Sequence, residues 1–259
     1  MSDVLLVEKL DGHIAKLTIN RPDKLNALNG EVRCALLGAL NDLASDDDVR
    51  VVILTGAGDK SFVAGADISE FKDARPVDQY RSMAGSNVFS AVEQFPKPVI
   101  AMINGFCLGG GCELAMGCDM RVAATTARIG QPEINLGLIP GGGGSQRLPR
   151  LVGEGWAMRL IMTGEMISGE KAAEIGLVEA AHPLEELEGA VMELAANIGM
   201  RSPMALQAAK ETILAARRMP LDEGLKFERG WFSLLFSTDD MDEGVSAFLE
   251  KRKAEFKGS

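Results

Sequence analysis

The chain predicts an α/β fold with parallel strands and an appended helical tail, and three observations carry that prediction. Unbroken apolar runs at 51–54 (Val51, Val52, Ile53, Leu54) and 98–103 (Pro98 through Ile103) lack the alternation of a half-exposed sheet and match strands covered on both faces. Stretches of helical periodicity lie between the strand patterns. Beyond Leu184 strand patterns stop and only helical ones continue. With 259 residues, 46% hydrophobic and 25% charged, the chain can bury one large core. The expected organisation is a body over 1–186 and a helical tail over 187–259.

Taken in order, 4–10 and 13–19 read as two strands joined at Asp11-Gly12, a dipeptide that favours hairpin turns. Asn20-Arg21-Pro22-Asp23 is a loop. A helix follows Asn29, a cap of the preferred type, because Val32, Leu36, Leu40 and Leu43 recur at steps of four, four and three and stack on one face. The strand at 49–55 closes on Gly56-Ala57-Gly58-Asp59, which has neither the GxxxxGKS nor the GxGxxG spacing of a nucleotide loop. Phe62-Val63-Ala64-Gly65-Ala66-Asp67 is small-residue chain that can bring backbone N–H groups to a ligand. Residues 68–95 are expected to be mostly helical, broken at Arg75-Pro76.

The strand at 98–103 stops at Asn104-Gly105 and leads to Gly109-Gly110-Gly111-Cys112-Glu113. Three adjacent glycines are entropically costly, which implies that something lies against bare backbone. Residues 113–116 read as a first helical turn, placing the glycine amides at its positive end, where an anion or polarised carbonyl oxygen is stabilised. After an apolar run at 120–124, Pro132 cannot donate to a ladder and Gly130 weakens one, so Glu133 is expected on irregular chain at a sheet edge. Alone, Glu113 reads as a favourable charge in a helical turn and Glu133 as a solvated loop carboxylate. Together, beside glycine-rich backbone, they are the pair that general acid–base catalysis needs. Helices at 144–152 and 154–162 come next, then a short helix capped by Ser168 and ended by Gly176, and a terminal strand. The tail divides into helices at 187–198, 203–218, 221–236 and 240–256, an appendage suited to packing on another subunit.

A net charge of −10 argues against nonspecific binding to nucleic acid or anionic membranes, and a phosphate-bearing ligand then needs a local basic patch. No apolar run approaches the ~20 residues of a membrane span and the first thirty residues lack a signal pattern, so a soluble, cytosolic protein is expected. Cys34, Cys107, Cys112 and Cys118 form no CxxC pair, and His13 and His182 lie in unrelated contexts. No metal centre is expected, and the thiols read as small buried apolar side chains.

Phe62 through Asp67, Asn104 through Glu113, and Gln131-Pro132-Glu133 occur in the order and spacing of the enoyl-CoA hydratase, or crotonase, family, which the chain resembles from Asn20 to the C-terminal helix. The resemblance implies a crotonase-like spiral of ββα repeats with a helical C-terminal trimerisation region, assembled as a homotrimer or homohexamer. It implies addition of water to a trans-2-enoyl-CoA with no metal or redox cofactor, coenzyme A being part of the substrate. By the same resemblance the N–H groups of Ala66 and Gly110 form an oxyanion hole, and Glu113 and Glu133 grip the water, with Glu133 as principal acid/base. The backbone of Gly141 to Gly144 and the Gln131 amide are expected to orient Glu133 and the water. Ala64 faces the adenine through its carbonyl, with Asp67 and Ile68 beside it. Lys24, Lys251, Arg252 and Lys253 are candidates for coenzyme A phosphates, and Phe248 for the pocket of a neighbouring subunit. Isomerisation, decarboxylation, retro-aldol cleavage or thioester hydrolysis on the same enolate cradle are alternatives, as is an RNA-binding relative, against which the acidic balance argues. Acyl chain length and pathway stay open, because 68–95 borders the acyl pocket and varies in the family.

Overall fold

β1 (Leu5–Leu10) and β2 (Ile14–Ile19) pair antiparallel with Leu10 opposite Ile14, so the connection is Asp11-Gly12-His13, with Gly12 and His13 both at positive φ. The computed structural model describes residues 4–72, 75–83 and 87–259. After a 3-10 turn at Pro22–Lys24 comes α1 (Gly30–Ala44), capped by the Asn29 side chain, with Val32, Leu36, Leu40 and Leu43 buried on one face. β3 (Val51–Gly56) is buried along its whole length, and β4 (Ser61–Val63) follows. The stretch 68–95 holds a 3-10 turn at Ile68–Phe71, α2 (Pro76–Met83) and α3 (Val88–Glu93), while 73, 74 and 84–86 lie outside the described residues.

The central portion runs β5 (Val99–Ile103), β6 (Phe106–Leu108), α4 (Gly110–Gly117), β7 (Met120–Ala124), β8 (Arg128–Gly130), a 3-10 helix at Pro132–Leu136 and α5 (Gly144–Thr163). α5 breaks at Gly153, which has φ 77 and ψ 164, so it is the pair of helices expected there. β9 (Met166–Ser168), α6 (Gly169–Glu174) and β10 (Ala180–His182) complete the strands. The tail consists of α7 (Leu184–Gly199), α8 (Pro203–Ala215), α9 (Leu221–Leu235) and α10 (Asp239–Glu250).

Two sheets result. The larger has the order β1-β2-β3-β5-β7-β10 and is parallel except for β1; the smaller has the order β4-β6-β8-β9. The pairs β3/β4, β5/β6 and β7/β8 each give one strand to each sheet, which is the repeating unit of the spiral. Strands of the smaller sheet are three residues long and were not expected. A three-residue strand is too short for period-two alternation to register, and only the turns before them are visible in the sequence.

α7 packs on β2, β3, β5, β7 and β10, and its Leu187, Val191 and Ala195 join the main core. α9 buries no residue, and α9 and α10 present exposed Leu221, Phe232, Phe248 and Leu249. α10 ends at Glu250, six residues short of expectation, because Lys251 turns into the left-handed conformation. The chain beyond folds back: Arg252 pairs with Glu243, Arg50 Nη2 donates to the Phe256 carbonyl at 2.7 Å, and Asp240 accepts the N–H groups of Lys257 and Gly258. Of the four thiols, Cys107, Cys112 and Cys118 are buried as expected, whereas Cys34 is exposed on α1.

Candidate active site

Ala66 forms an isolated parallel bridge with Leu28: Leu28 N donates to the Gly65 carbonyl and Asp67 N to the Leu28 carbonyl, both at 2.8 Å. In that geometry the peptide groups flanking Ala66 face Leu28, and its own N–H points the other way. Gly110 lies on that side, since a Cβ built on it would sit 3.4 Å from Ala66 N. As the first residue of α4, Gly110 has an N–H with no acceptor inside the helix. The structure therefore brings the two expected amide donors side by side at the positive end of α4, a setting that stabilises developing negative charge on an oxygen.

The segment carrying Ala66 is fastened from behind. Asn26, fully buried and at φ 58, donates to the carbonyls of Ala57 and Ser61 and accepts from Arg21 N. Arg21 donates Nη1 to the Ala27 carbonyl at 2.6 Å and pairs through Nη2 with Asp67 at 3.1 Å. Asp67 also accepts from Ser69, and these partners hold its carboxyl below the ordinary value. Asn26 and Arg21 were missed as site residues. Their signal was an Asn within a loop that has no apolar pattern of its own, which is visible only once the loop's partners are known.

Gly109 adopts φ 50 and ψ −123, a conformation open to glycine, and a side chain there would begin 3.0 Å from Glu133 Oε1. Its bare backbone makes room for the Glu133 carboxyl. One turn further, Glu113 N donates to the Gly109 carbonyl at 2.9 Å, so the same glycine seats both acids. Glu133 lies on the 3-10 helix Pro132–Leu136, not on irregular chain.

Glu113 is 3% exposed, and its Oε1 accepts the N–H groups of Gly142 and Gly144, each at 2.7 Å. Burial pushes its carboxyl up, while those amides and the Arg147 charge pull it back. Burial pushes Glu133 up to about 7; its own backbone N–H opposes the rise and the charge of Glu113 adds to it. Gln131, fully buried, sets its amide group against both Glu133 oxygens, within hydrogen-bond distance. Both carboxyls are therefore raised, but the loop amides bonded to Glu113 offset part of its rise, while Glu133 keeps its proton nearer neutrality. Gln131 lies beside Glu133, where the resemblance puts it. The glycine run 141–144 was expected to orient Glu133, but its amides go to Glu113.

Lys24 ends the 3-10 turn beside Leu25, whose carbonyl accepts Ala64 N at 3.1 Å, so Lys24, Ala64 and Ala66 share one edge of the site. Ile68 is 60% exposed next to them. Phe248, 82% exposed, lies in the last turn of α10, and Lys251 caps that helix. Among the described residues no group of three or more His, Cys, Asp or Glu side chains is placed to hold a metal, and no helix is long and apolar enough to cross a membrane.

Paired strands that spiral between two sheets, with amide donors at one helix start, define a crotonase-type fold. The chain belongs to the enoyl-CoA hydratase/isomerase family, whose model matches residues 9–259. It is 45% identical over 252 residues to the short-chain-enoyl-CoA hydratase of Clostridium acetobutylicum, covering 97% of this chain and 96% of that one. It is 44% identical over 253 residues to the crotonyl-CoA hydratase of Syntrophomonas wolfei, covering 97% of each. The crystal structure of an enoyl-CoA hydratase from Bacillus anthracis superposes with a TM-score of 0.94 at 40% identity, covering 99% of this chain and 100% of that one.

Proposed function

We propose that this protein is an enoyl-CoA hydratase that adds water across the double bond of short to medium trans-2-enoyl-CoA thioesters, giving 3-hydroxyacyl-CoA. The observation that carries the reading is the pairing of two buried acids, one bonded to the Gly142 and Gly144 amides and the other raised to about 7, beside two amide donors. The names of the relatives from Clostridium acetobutylicum and Syntrophomonas wolfei support it.

In this reading the thioester oxygen lies on the N–H groups of Ala66 and Gly110, which take up the negative charge of the enolate. Glu113, as carboxylate, accepts a proton from the water as its oxygen bonds to the β carbon. Glu133, protonated, delivers a proton to the α carbon as the enolate collapses. Glu113 then holds a proton and Glu133 lacks one, and transfer through solvent restores the starting state. Both acids remain members of one coupled pair, so measured values belong to the pair. Lys24, with Lys251 of a neighbouring subunit, would meet the coenzyme A phosphates; Ala64, Asp67 and Ile68 border its path, and Phe248 would close the acyl pocket of that neighbour. The exposed apolar faces of α9 and α10 support assembly as a trimer or a pair of trimers through the tail 187–259. The same reading puts the protein in the cytosol. The test is crotonyl-CoA: its conjugated absorbance should fall on adding the protein, with 3-hydroxybutyryl-CoA as product. A shifted double bond, or no change, would refute hydration.

A further inference from the structure

Four consecutive glycines, Gly141 to Gly144, are the freest backbone a chain can have, and ordering them is entropically costly. Yet two amides of this run sit 2.7 Å from Glu113 Oε1. What holds the run is Arg147, one turn into α5. Its Nη1 donates to the Gly142 carbonyl at 2.9 Å and fills the space beside Gly143, where a Cβ would fall 2.1 Å from Nη1. Gly143 itself is at φ 110. Nη2 of the same guanidinium donates to Glu93 at the end of α3, at 2.8 Å, with side chains 13% and 15% exposed. Glu93 also faces Arg218 and Arg217, at 3.7 and 4.0 Å, on the chain after α8. Burial opposes its ionisation, but the three guanidinium groups prevail and hold it below the ordinary carboxylate range.

We propose that Arg147, braced by Glu93, is a positioning residue for the acid–base pair: it fixes the four-glycine loop so that the amides of Gly142 and Gly144 keep Glu113 a carboxylate. A planar fork suits the task, since one guanidinium bonds a carbonyl and a carboxylate at once, which an ammonium on a flexible stem does poorly. The proposal rests on the reading of Glu113 as the base. The charges that face Glu113 are Arg147 on α5 and Glu133 on the 3-10 helix. Glu93 on α3 reaches it through Arg147, β6 offers only the buried thiol of Cys107, and β4 carries no titratable side chain.

The experiment compares R147Q, R147K and E93Q in the full chain, each alone and combined with E113Q, by crotonyl-CoA hydration across pH 5–9 with Tm measured alongside. R147Q should lower kcat ~10-fold with KM within ~2-fold, and move the acidic limb of kcat/KM upward by ~1 pH unit, because the carboxylate loses donors and a positive neighbour. R147K should fall between R147Q and the parent, and E93Q should repeat the shift more weakly. In the E113Q background these substitutions should leave the residual rate unchanged, as expected for residues acting through one group. An unshifted limb, or the same loss with and without Glu113, would overturn the proposal by making Arg147 merely structural. If R147Q does not fold, E93Q and R147K decide; if none folds, Arg147 serves stability and the proposal is wrong. Absence of hydration by the parent protein would instead remove the functional reading, which an active parent with an unaltered R147Q would leave standing.

Discussion

Replacing Glu133 by Gln should do two opposite things, and their sizes follow from where the carboxyl sits. Burial moves Glu133 from an ordinary 4.5 to about 7. A carboxyl whose value rises on folding binds its proton more tightly in the native state. Its contribution to stability is complete below 4.5 and is lost as the pH climbs through 7. At ~1.4 kcal/mol per pH unit the full difference is ~3.4 kcal/mol. Partial exposure screens it, leaving ~1–2 kcal/mol. Gln does not titrate, so E133Q should gain that much over the parent between pH 5 and pH 9, a difference of ~2–8 °C in Tm for a chain of this size. Over the same range its kcat should fall at least ~10²-fold, the lower end for removal of an acid–base group. Thermal unfolding at one fixed protein concentration, with hydration rates on the same samples, reads both effects and keeps the proposed assembly from shifting Tm between samples. If the Tm difference between variant and parent is the same at both pH values, Glu133 is not the raised carboxyl. If kcat is also unchanged, the acid–base assignment fails with it.

Three further outcomes are expected. G110A should fold normally, because its Cβ meets nothing closer than 3.4 Å, but that nearest atom is Ala66 N, so hydration should fall ~10²–10³-fold. G111A, one residue on, should fold poorly or not at all, because its Cβ would fall 2.0 Å from the Val63 carbonyl; circular dichroism and kcat on both variants separate the two roles. F248D should weaken assembly, since a charge placed on the 82%-exposed Phe248 would be buried in any tail-mediated interface. Sedimentation should then show smaller species, and an unchanged size distribution would remove α10 from the interface.

Much of the body is legible in the sequence. β3 and β5 announced themselves as unbroken apolar runs, α1 as a four-four-three stripe behind an Asn cap, and the break in α5 as a glycine between two helical patterns. In each case the signal and the structure are local, so one stretch of chain contains both. The end of α10 is not legible in the sequence because its stop is tertiary: the acidic Asp240 and the buried Arg50 capture the last residues from a distance. The smaller sheet was invisible for a related reason, since a three-residue strand exists only through the neighbour that pairs with it.

The same division runs through the site. Residue types and spacing alone set out the glycines at 109–111, the two acids and the small-residue segment around Ala66, because a ligand pressed against backbone demands bare backbone wherever it lies. Which donor serves which acid was decided only by folding. Gly142 and Gly144 lie 29 and 31 residues beyond Glu113 in sequence but their N–H groups are 2.7 Å from its Oε1, Gln131 lies against Glu133, and Arg147 joins the loop to α3. Hydrogen bonds and burial depend on distances between segments that sequence order does not constrain. The kinds of groups present were therefore a property of the chain, and their protonation states a property of the packed molecule.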